Sequence, residues 1–191
     1  MLGLLDPCEL PLAYAPSGFV VRAAVQAWEV DEARALRRAV FCFEQGLFGA
    51  DDRDGVDSHA QVLVAMSMQG GMFDQVVGTV RLHLDADAGG TVWWGSRLAV
   101  HAAFRHHGKI GATLIRLAVS RAHALGCVRF LAHVQLQNVP LFEKLHWRVL
   151  GEQRLHGRPH ALMQADLAHY PPCHDPVSGY VTRPSAGGLA S

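Results

Sequence analysis

The residues best suited to binding a ligand lie in one segment between a predicted strand and a predicted helix. This segment, RHHGKIGA (residues 105–112), carries two cations, Arg105 and Lys109, and two glycines, Gly108 and Gly111. Glycines let the backbone approach a ligand closely, and the N–H groups that open a helix favour negative charge. The segment therefore predicts a pyrophosphate site. A glycine-containing turn between a strand and a helix also occurs for structural reasons alone.

Motifs for several other kinds of chemistry are missing from the sequence. His101, His106 and His107 lie close together, but no H-E-x-x-H motif accompanies them, so we expect no metal. No G-x-S-x-G motif is present, which argues against a serine hydrolase. The four cysteines form no C-x-x-C pair, which favours reduced thiols in a cytoplasmic protein over a disulfide framework.

The composition indicates one globular domain. Half of the 191 residues are hydrophobic and 18% are charged, and the formal net charge is zero, so we expect neither a nucleic-acid nor a membrane partner. No apolar run is long enough for a transmembrane helix, and the N-terminus lacks the basic region of a signal peptide. We expect an N-terminal arm over residues 1–17, one domain over residues 18–168, and a poorly ordered, Pro/Gly-rich tail over residues 169–191.

The hydrophobic pattern predicts the elements that position the loop. A sheet with strands and a closing hairpin is expected over residues 19–25, 60–68, 75–84, 91–100, 128–134, 147–155 and 160–167. Helices are expected from about residue 31 to 43, over residues 109–125 and over residues 138–145. Strand 128–134 is apolar on both faces, as expected of a central parallel strand. The fold class is α/β (α+β): a mixed, mostly antiparallel sheet of six or seven strands with a central parallel pair, flanked by helices.

Several motifs, taken in order, resemble those of the GNAT (GCN5-related N-acetyltransferase) superfamily. The run RLAV followed by RHHGKIGATLI resembles the family's strand end and its Arg/Gln-x-x-Gly-x-Gly/Ala motif. Downstream, VRFLAHVQLQNVPLFEKLHW resembles the next strand and an Asn-bearing helix. The segments RRAVFCFEQGLF, VVGTVRL and HGRPHALM resemble one branch of the family. The resemblance extends over about residues 19–167, and a closer likeness is to the branch found in nitrilase-associated gene clusters.

The resemblance implies a GNAT fold with acetyl-coenzyme A as the acyl donor and no metal. The backbone of Leu98, Ala99 and Val100 would bind the pantetheine arm as an added strand. Asn138 would reach the pantetheine from the short helix. The pyrophosphate would be held by the loop and helix start, namely Arg105, His106, His107, Gly108, Lys109, Ile110, Gly111 and Ala112.

The loop departs from the family pattern in its spacing. The pattern places Gly or Ala five residues after its Arg, but that position from Arg105 is Ile110, and the glycine follows at Gly111. Either the loop is one residue longer, which we favour, or His106 takes the place of the Arg and Lys109 that of the first glycine.

A second departure concerns the proton donor to the leaving group. Phe142 aligns with a Tyr that can protonate the departing thiolate in many relatives. A phenyl ring cannot donate a proton, so water or another group must do so, or the thiolate must leave as the anion.

Three residues are candidates for acid–base chemistry at the acceptor. Glu44 lies on the acceptor side in the related branch, and His133 lies near the expected end of the parallel pair, so both are candidate catalytic residues. A helix contact for Glu44 and a hydrogen-bonded core position for His133 are the alternatives. His160 matches a family histidine and is a candidate substrate-binding residue, with a structural bond in the hairpin as the favoured alternative.

Two arginines resemble residues of the neighbouring branch that makes acyl-homoserine lactones. Arg37 and Arg81 resemble paired arginines that line its acceptor pocket, and Asp54 and Asp57 echo its acidic pair. We therefore consider Arg37 and Arg81 candidate substrate-binding residues. A surface ion-pair network is the alternative.

The predicted function is an N-acetyltransferase that moves an acetyl group directly from acetyl-CoA to the amine of a small molecule in a ternary complex. Cys42 and Cys127 are expected to be buried, which argues against an acyl-cysteine intermediate. The alternatives are an acyltransferase of the lactone-synthase type, with a longer acyl donor, and a non-catalytic acyl-CoA-binding module. A homodimer formed by the edge of the terminal hairpin is possible.

Overall fold

The computed structural model describes residues 16–107 and 109–183. Gly108 and nearly all of the expected N-terminal arm lie outside the described residues. The strands are β1 Gly18–Ala23, β2 Gln61–Gln69, β3 Met72–Leu84, β4 Val92–Val100, β5 Arg129–Gln135, β6 Trp147–Leu155, β7 Arg158–Ala165 and β8 Tyr180–Thr182. The α-helices are α1 Ala27–Arg38, α2 Ile110–Ala124 and α3 Val139–Lys144.

All eight strands belong to one sheet, in the order β6-β7-β5-β4-β3-β2-β1-β8. Strands β4 and β5 pair in parallel and are connected by α2, whereas the other neighbours pair antiparallel. The predicted mixed sheet with a central parallel pair is confirmed. The expected number of strands was too low, because the pattern did not predict β8.

Helices cover both faces of the sheet, and each face has its own apolar cluster. Neighbouring residues of β2 contribute to opposite faces, because side chains alternate along a strand: Leu63 packs on the α2 side and Val64 on the α1 side. The α2-side cluster includes Phe19, Leu82, Leu114, Leu117, Phe130 and Met163. The α1-side cluster includes Ala33, Leu36, Val40, Phe41, Met66 and Val76.

Helix α1 begins at Ala27, about four residues before its predicted start. The buried carboxylate of Glu29 accepts hydrogen bonds from the backbone N–H of Val25 (2.6 Å) and of Gln26 (3.2 Å) and pairs with Arg22. These bonds keep the pKa of Glu29 below its usual value, although burial alone would raise it. The buried ion pair thus adds a first turn that the apolar periodicity does not show.

The expectation of a poorly ordered tail is wrong for residues 170–183. Tyr170 is buried, its hydroxyl donates to the carbonyl of Leu145, and it accepts a hydrogen bond from Nε1 of Trp147 (3.0 Å). The N–H of Cys173 donates to the carbonyl of Ser120 in α2 (2.9 Å). Strand β8 then pairs with β1, so the segment closes one edge of the sheet. The contacts of the buried Tyr170 side chain order this segment despite its Pro/Gly-rich composition.

Candidate active site

The parallel pair opens into a fork at the centre of the sheet. Strand β4 pairs with β5 only from Val92 to Gly95. Beyond Gly95, β4 stays paired with β3, and β5 stays paired with β7. A bulge falls in β4 at this point, where Arg97 has a φ of 54°. Strands β4 and β5 are therefore separated near Leu98.

A cavity of about 540 Å³ passes through the sheet at this fork. We call its two parts the α1-side half and the α2-side half. The α1-side half is lined by residues that include Phe41, Phe48, Trp94, Arg97, His133 and His160. The α2-side half is lined by residues that include Ile115, Ala118, Phe130, Phe142 and Trp147. The cavity thus has one half on each face of the sheet.

Helix α2 opens next to the free end of β4. Geometry leaves the N–H groups of its first turn, such as those of Gly111 and Ala112, without acceptors inside the helix. A Cβ atom built on Gly111 would lie 3.8 Å from Cγ2 of Val100, so this helix start faces the strand end closely. The arrangement suits an anionic ligand that extends from the helix toward the fork. Ile110 is buried in the core and offers only its backbone.

The conformation of Lys109 bears on the spacing of the loop. Lys109 precedes the helix with a φ of 51°, in the left-handed region that glycine adopts most readily. This favours the register in which Lys109 occupies the place of the first glycine and His106 that of the Arg. His106 is exposed and His107 half-buried, and Gly108 lies outside the described residues.

Arg105 connects Glu44 to the end of β4. Its Nη2 donates to Oε2 of Glu44 (2.6 Å), and its Nε donates to the carbonyl of Val100 (3.0 Å). The hydrogen bond from Arg105 lowers the pKa of Glu44. Glu44 is not among the described residues that line the cavity, and a weakly basic carboxylate is poorly suited to remove a proton. The geometry therefore makes Glu44 the ion-pair partner of Arg105 in the loop.

His133 lies at the mouth of the fork on the α1 side. Its ring packs against Trp94, with 4.9 Å between the ring centroids, and Nε1 of Trp94 donates to Oδ2 of Asp85 (2.9 Å). Burial, with a smaller contribution from His160, lowers the pKa of His133. The imidazole is therefore neutral at pH 7 and can accept a proton.

His160 is buried and lines the same half of the cavity. Its Nδ1 lies 3.0 Å from the carbonyl of Arg158, which can only accept, so Nδ1 carries the hydrogen and Nε2 is the acceptor in the neutral ring. In the β5–β7 pairing His160 stands opposite Gln135. His160 therefore makes a structural hydrogen bond in the hairpin and also lines the cavity.

Three arginines and three aspartates form a charge cluster beneath the α1-side half. Arg37 bonds Asp52 (2.8 Å) and Asp57 (2.5 Å), and Arg81 bonds Asp54 (2.6 Å) and Asp57 (2.8 Å). Arg97 completes the cluster and was not predicted as a site residue. Arg37, Arg81 and Asp52 are buried, whereas Asp54 is exposed, so the network extends from the interior to the surface. Arg81 lines the cavity, whereas Arg37 does not appear among the described lining residues.

The remaining predicted residues lie at the fork. Leu98 lines the cavity, whereas Ala99 is buried against the α1-side cluster. The exposed side chain of Asn138 lines the cavity at the start of α3. Phe142 also lines it and packs edge-on against Trp147, with 5.0 Å between the ring centroids. Phe142 therefore brings a ring without a polar atom to the cavity wall.

The sequence reasoning missed Arg97 and Trp94 as lining residues. Trp94 lies on the sheet face, where its ring lines the cavity and packs against His133. No local pattern in the sequence marks Arg97 as a lining residue, because the β4 bulge that sets its orientation depends on pairing with β3. The alternating pattern of β4 alone does not reveal an extra residue.

Comparison with known proteins decides the family. The sequence profile of the acetyltransferase (GNAT) family matches residues 24–147. The chain belongs to this family. The fold is that of an acyltransferase of this family.

Solved structures with the GNAT fold resemble this chain along most of its length. A Lactobacillus plantarum protein assigned as an N-acetyltransferase is 27% identical, with a TM-score of 0.66, and the match covers 77% of this chain and 97% of that protein. FeeM, an N-acyl amino acid synthase from uncultured soil microbes, is 13% identical (TM-score 0.63, 82% and 95% covered). The lactone synthase LasI is 15% identical (TM-score 0.60, 78% and 90% covered). The last two show the shared fold alone.

No curated protein matches this chain. Among residues 16–107 and 109–183, no group of three or more His, Cys, Asp or Glu side chains could hold a metal ion. Within the same part of the chain, no helix is long and apolar enough to cross a membrane.

Proposed function

We propose that this GNAT protein transfers an acetyl group from acetyl-CoA to the amine of a small molecule, by direct attack within a ternary complex. The observation that carries the proposal is the cavity that passes through the fork between β4 and β5, beside the open start of α2. The thioester arm would lie along Leu98–Val100, and its diphosphate would meet the first turn of α2. The amine would approach from the α1-side half.

His133 is the proposed general base. Its neutral imidazole lies at the fork and lines the cavity, so it can accept, directly or through water, the proton that the substrate ammonium must lose to become the attacking amine. Backbone N–H groups at the end of β4 would stabilise the charge that develops on the thioester oxygen. With Phe142 in the usual place of a Tyr, the leaving thiolate would take its proton from water.

The thiols support direct transfer over an acyl-enzyme. Cys42 and Cys127 are buried, and burial raises the pKa of Cys42 and brings that of Cys127 to about 11. A thiol with a raised pKa is a poor nucleophile at neutral pH. Neither thiol is among the described residues that line the cavity.

The proposal is tested by calorimetric titration with acetyl-CoA together with a thiol-release assay on a panel of amines. Gly111→Trp places a large side chain over the first turn of α2 and should abolish binding. Gly151→Trp is the matched control, because Gly151 lies in edge strand β6 with open space around its Cβ position. Binding without thiol release from any amine would favour the non-catalytic module. Unchanged binding in Gly111→Trp would refute the site.

A donor with a longer acyl chain is a second candidate, favoured by the α2-side half of the cavity. Apolar side chains line this half behind the fork, including Ile115, Phe130 and Phe142. An acetyl group would leave this space unfilled, whereas a longer chain would bury apolar surface there. Comparison of kcat/KM for acetyl-, butanoyl-, hexanoyl- and octanoyl-CoA separates the two: a maximum at acetyl supports the acetyltransferase, and a rise with chain length supports the second candidate.

A further inference from the structure

The charges of the α1-side half restrict what amine it can accept. Asp85 is the only carboxylate among the described lining residues, and its Oδ2 is already bonded to Trp94. The lining contains the guanidinium groups of Arg81 and Arg97. A polyamine or other polycation would find only Asp85 as a carboxylate on the described walls, because the aspartates that pair with Arg81 and Arg97 are not among the lining residues.

Arg97 is held at the cavity in an unusual way. Its φ of 54° lies in a region that non-glycine residues rarely adopt, and such strain concentrates at functional sites. Its Nε and Nη2 bond Asp52 and Asp54, whereas its Nη1 has no polar partner among the described residues. The guanidinium lies over the ring of Phe48, 4.4 Å from its centroid. Nη1 of Arg97, a residue that lines the cavity, can thus donate a hydrogen bond to a ligand.

The charge of Arg97 is less well compensated than that of its neighbour Arg37. Burial, together with the positive charge of Arg81, lowers the pKa of Arg97 despite Asp52 and Asp54. By contrast, the hydrogen bonds that Arg37 donates to Asp57 and Asp52 raise the pKa of Arg37 above its ordinary value, although burial opposes this. A ligand anion beside Arg97 would stabilise the positive charge of its guanidinium group.

One wall of the α1-side half is aromatic. Phe48 packs against His156, with 4.4 Å between ring centroids, and against Phe41, at 6.4 Å. Trp94 lies on the same side. This wall suits a bulky apolar group of the ligand, because polar ligand groups there would lose their water without gaining partners, whereas histidines elsewhere in this half can bond polar groups.

From this geometry we infer that the acceptor is an amine that also carries a carboxylate and a bulky apolar group, an apolar α-amino acid being the simplest, and that Arg97 binds the carboxylate. This inference rests on the proposed function. It adds a substrate class and a specificity-determining residue that lie outside the pyrophosphate loop.

The test compares four acceptors with the wild-type protein in the thiol-release assay: L-phenylalanine, L-phenylalaninamide, phenethylamine and spermidine. A charge-assisted hydrogen bond predicts a kcat/KM for L-phenylalanine about 10–100-fold above those for the amide and the decarboxylated amine, and no use of spermidine. Equal or better turnover of the amide, the decarboxylated amine or spermidine would overturn the inference and leave the acyltransferase proposal intact. If acetyl-CoA binds but no amine releases thiol, both fail.

Arg97→Met provides the matched test on the protein side. We expect kcat/KM for L-phenylalanine to fall about 10–100-fold, and that for L-phenylalaninamide to change by less than about 3-fold. Arg148→Met, at an exposed position in edge strand β6, is the control. Equal losses for both acceptors would assign Arg97 a structural role only. If Arg97→Met does not fold, as thermal denaturation would reveal, the wild-type acceptor series decides alone.

Discussion

The guanidinium of Arg105 lies 2.6 Å from the carboxylate of Glu44, across 61 residues of sequence. Arg105 also donates to the carbonyl of Val100, at the strand end where the pantetheine arm is proposed to bind. The pair therefore spans the entrance that the coenzyme would use. Binding of a diphosphate there would compete with Glu44 for Arg105.

This relationship predicts that Glu44 is not the general base. The ion pair is well exposed, so Glu44→Gln should change the free energy of unfolding by no more than about 1 kcal/mol. Because Arg105 becomes free for the diphosphate, we expect an equal or lower KM for acetyl-CoA and a kcat within about 3-fold of wild type. A fall in kcat beyond about 100-fold, with loss of one limb of the pH profile, would instead make Glu44 the base.

His133→Gln should lower kcat by about 10²–10⁴-fold, the usual contribution of a positioned base. Since burial lowers the pKa of His133, the wild-type rate should fall only below pH 6.5, where the imidazole becomes protonated. This acidic limb should disappear in the variant. His174→Gln, at an exposed position, serves as the control. Steady-state rates between pH 5 and 9 measure both effects, and an unchanged acidic limb in His133→Gln would exclude the role.

The charge cluster predicts an acid-sensitive fold. Burial would raise the pKa of Asp57, but bonds from Arg37, Asp54 and Arg81 lower it below its ordinary value of 3.8. A depressed folded-state pKa stabilises the protein fully above the unfolded value, and this stability is lost as the pH falls through the lower folded value. Urea unfolding at pH 3 to 7 should therefore show the free energy of unfolding decline from about pH 4 downward.

Asp57→Asn should reduce this decline and destabilise the protein by about 3–5 kcal/mol at pH 7, because it leaves buried arginine charge uncompensated. Asp31→Asn removes an exposed pair with Arg34 and should cost less than about 1 kcal/mol. Similar effects of the two substitutions at pH 7 would contradict the importance of the buried cluster.

Tyr170→Phe should destabilise the protein by about 1–3 kcal/mol, because it leaves Nε1 of Trp147 and the carbonyl of Leu145 without their buried partner. Val181→Ala, in the exposed part of β8, should have little effect. Thermal unfolding measures both. If Tyr170→Phe were as stable as wild type, the segment after β7 would not be anchored through this hydroxyl.

The sequence predicted the centre of the fold better than its edges. Phe130, Ala132 and Val134 form an apolar face of β5, and Gly126 follows the apolar stripe of α2, so the parallel crossover was evident from local pattern. The resemblance to the GNAT family, rather than this pattern, pointed to the strand end at Leu98. Strand β8 was missed because its three residues gain their order from pairing with β1 and from Tyr170, which local composition does not record.

The long-range partners of the site could not be read from the sequence. Glu44 was a candidate base because it lies on the acceptor side in the related branch, but its environment depends on Arg105, a distant residue. Arg97 was missed for a related reason, since a bulge depends on the register with β3. Residue type identifies which groups can react, whereas the pairing of strands determines which of them meet.

A cavity that crosses a sheet gives its two reactants separate routes of entry. The coenzyme would arrive along α2 and the amine from the opposite face, so the acylated amine could depart while the spent coenzyme is still in place. Free coenzyme A should then inhibit competitively against acetyl-CoA but not against the amine. The opening between β4 and β5 would thereby determine the order of events in each catalytic cycle as well as the place where they occur.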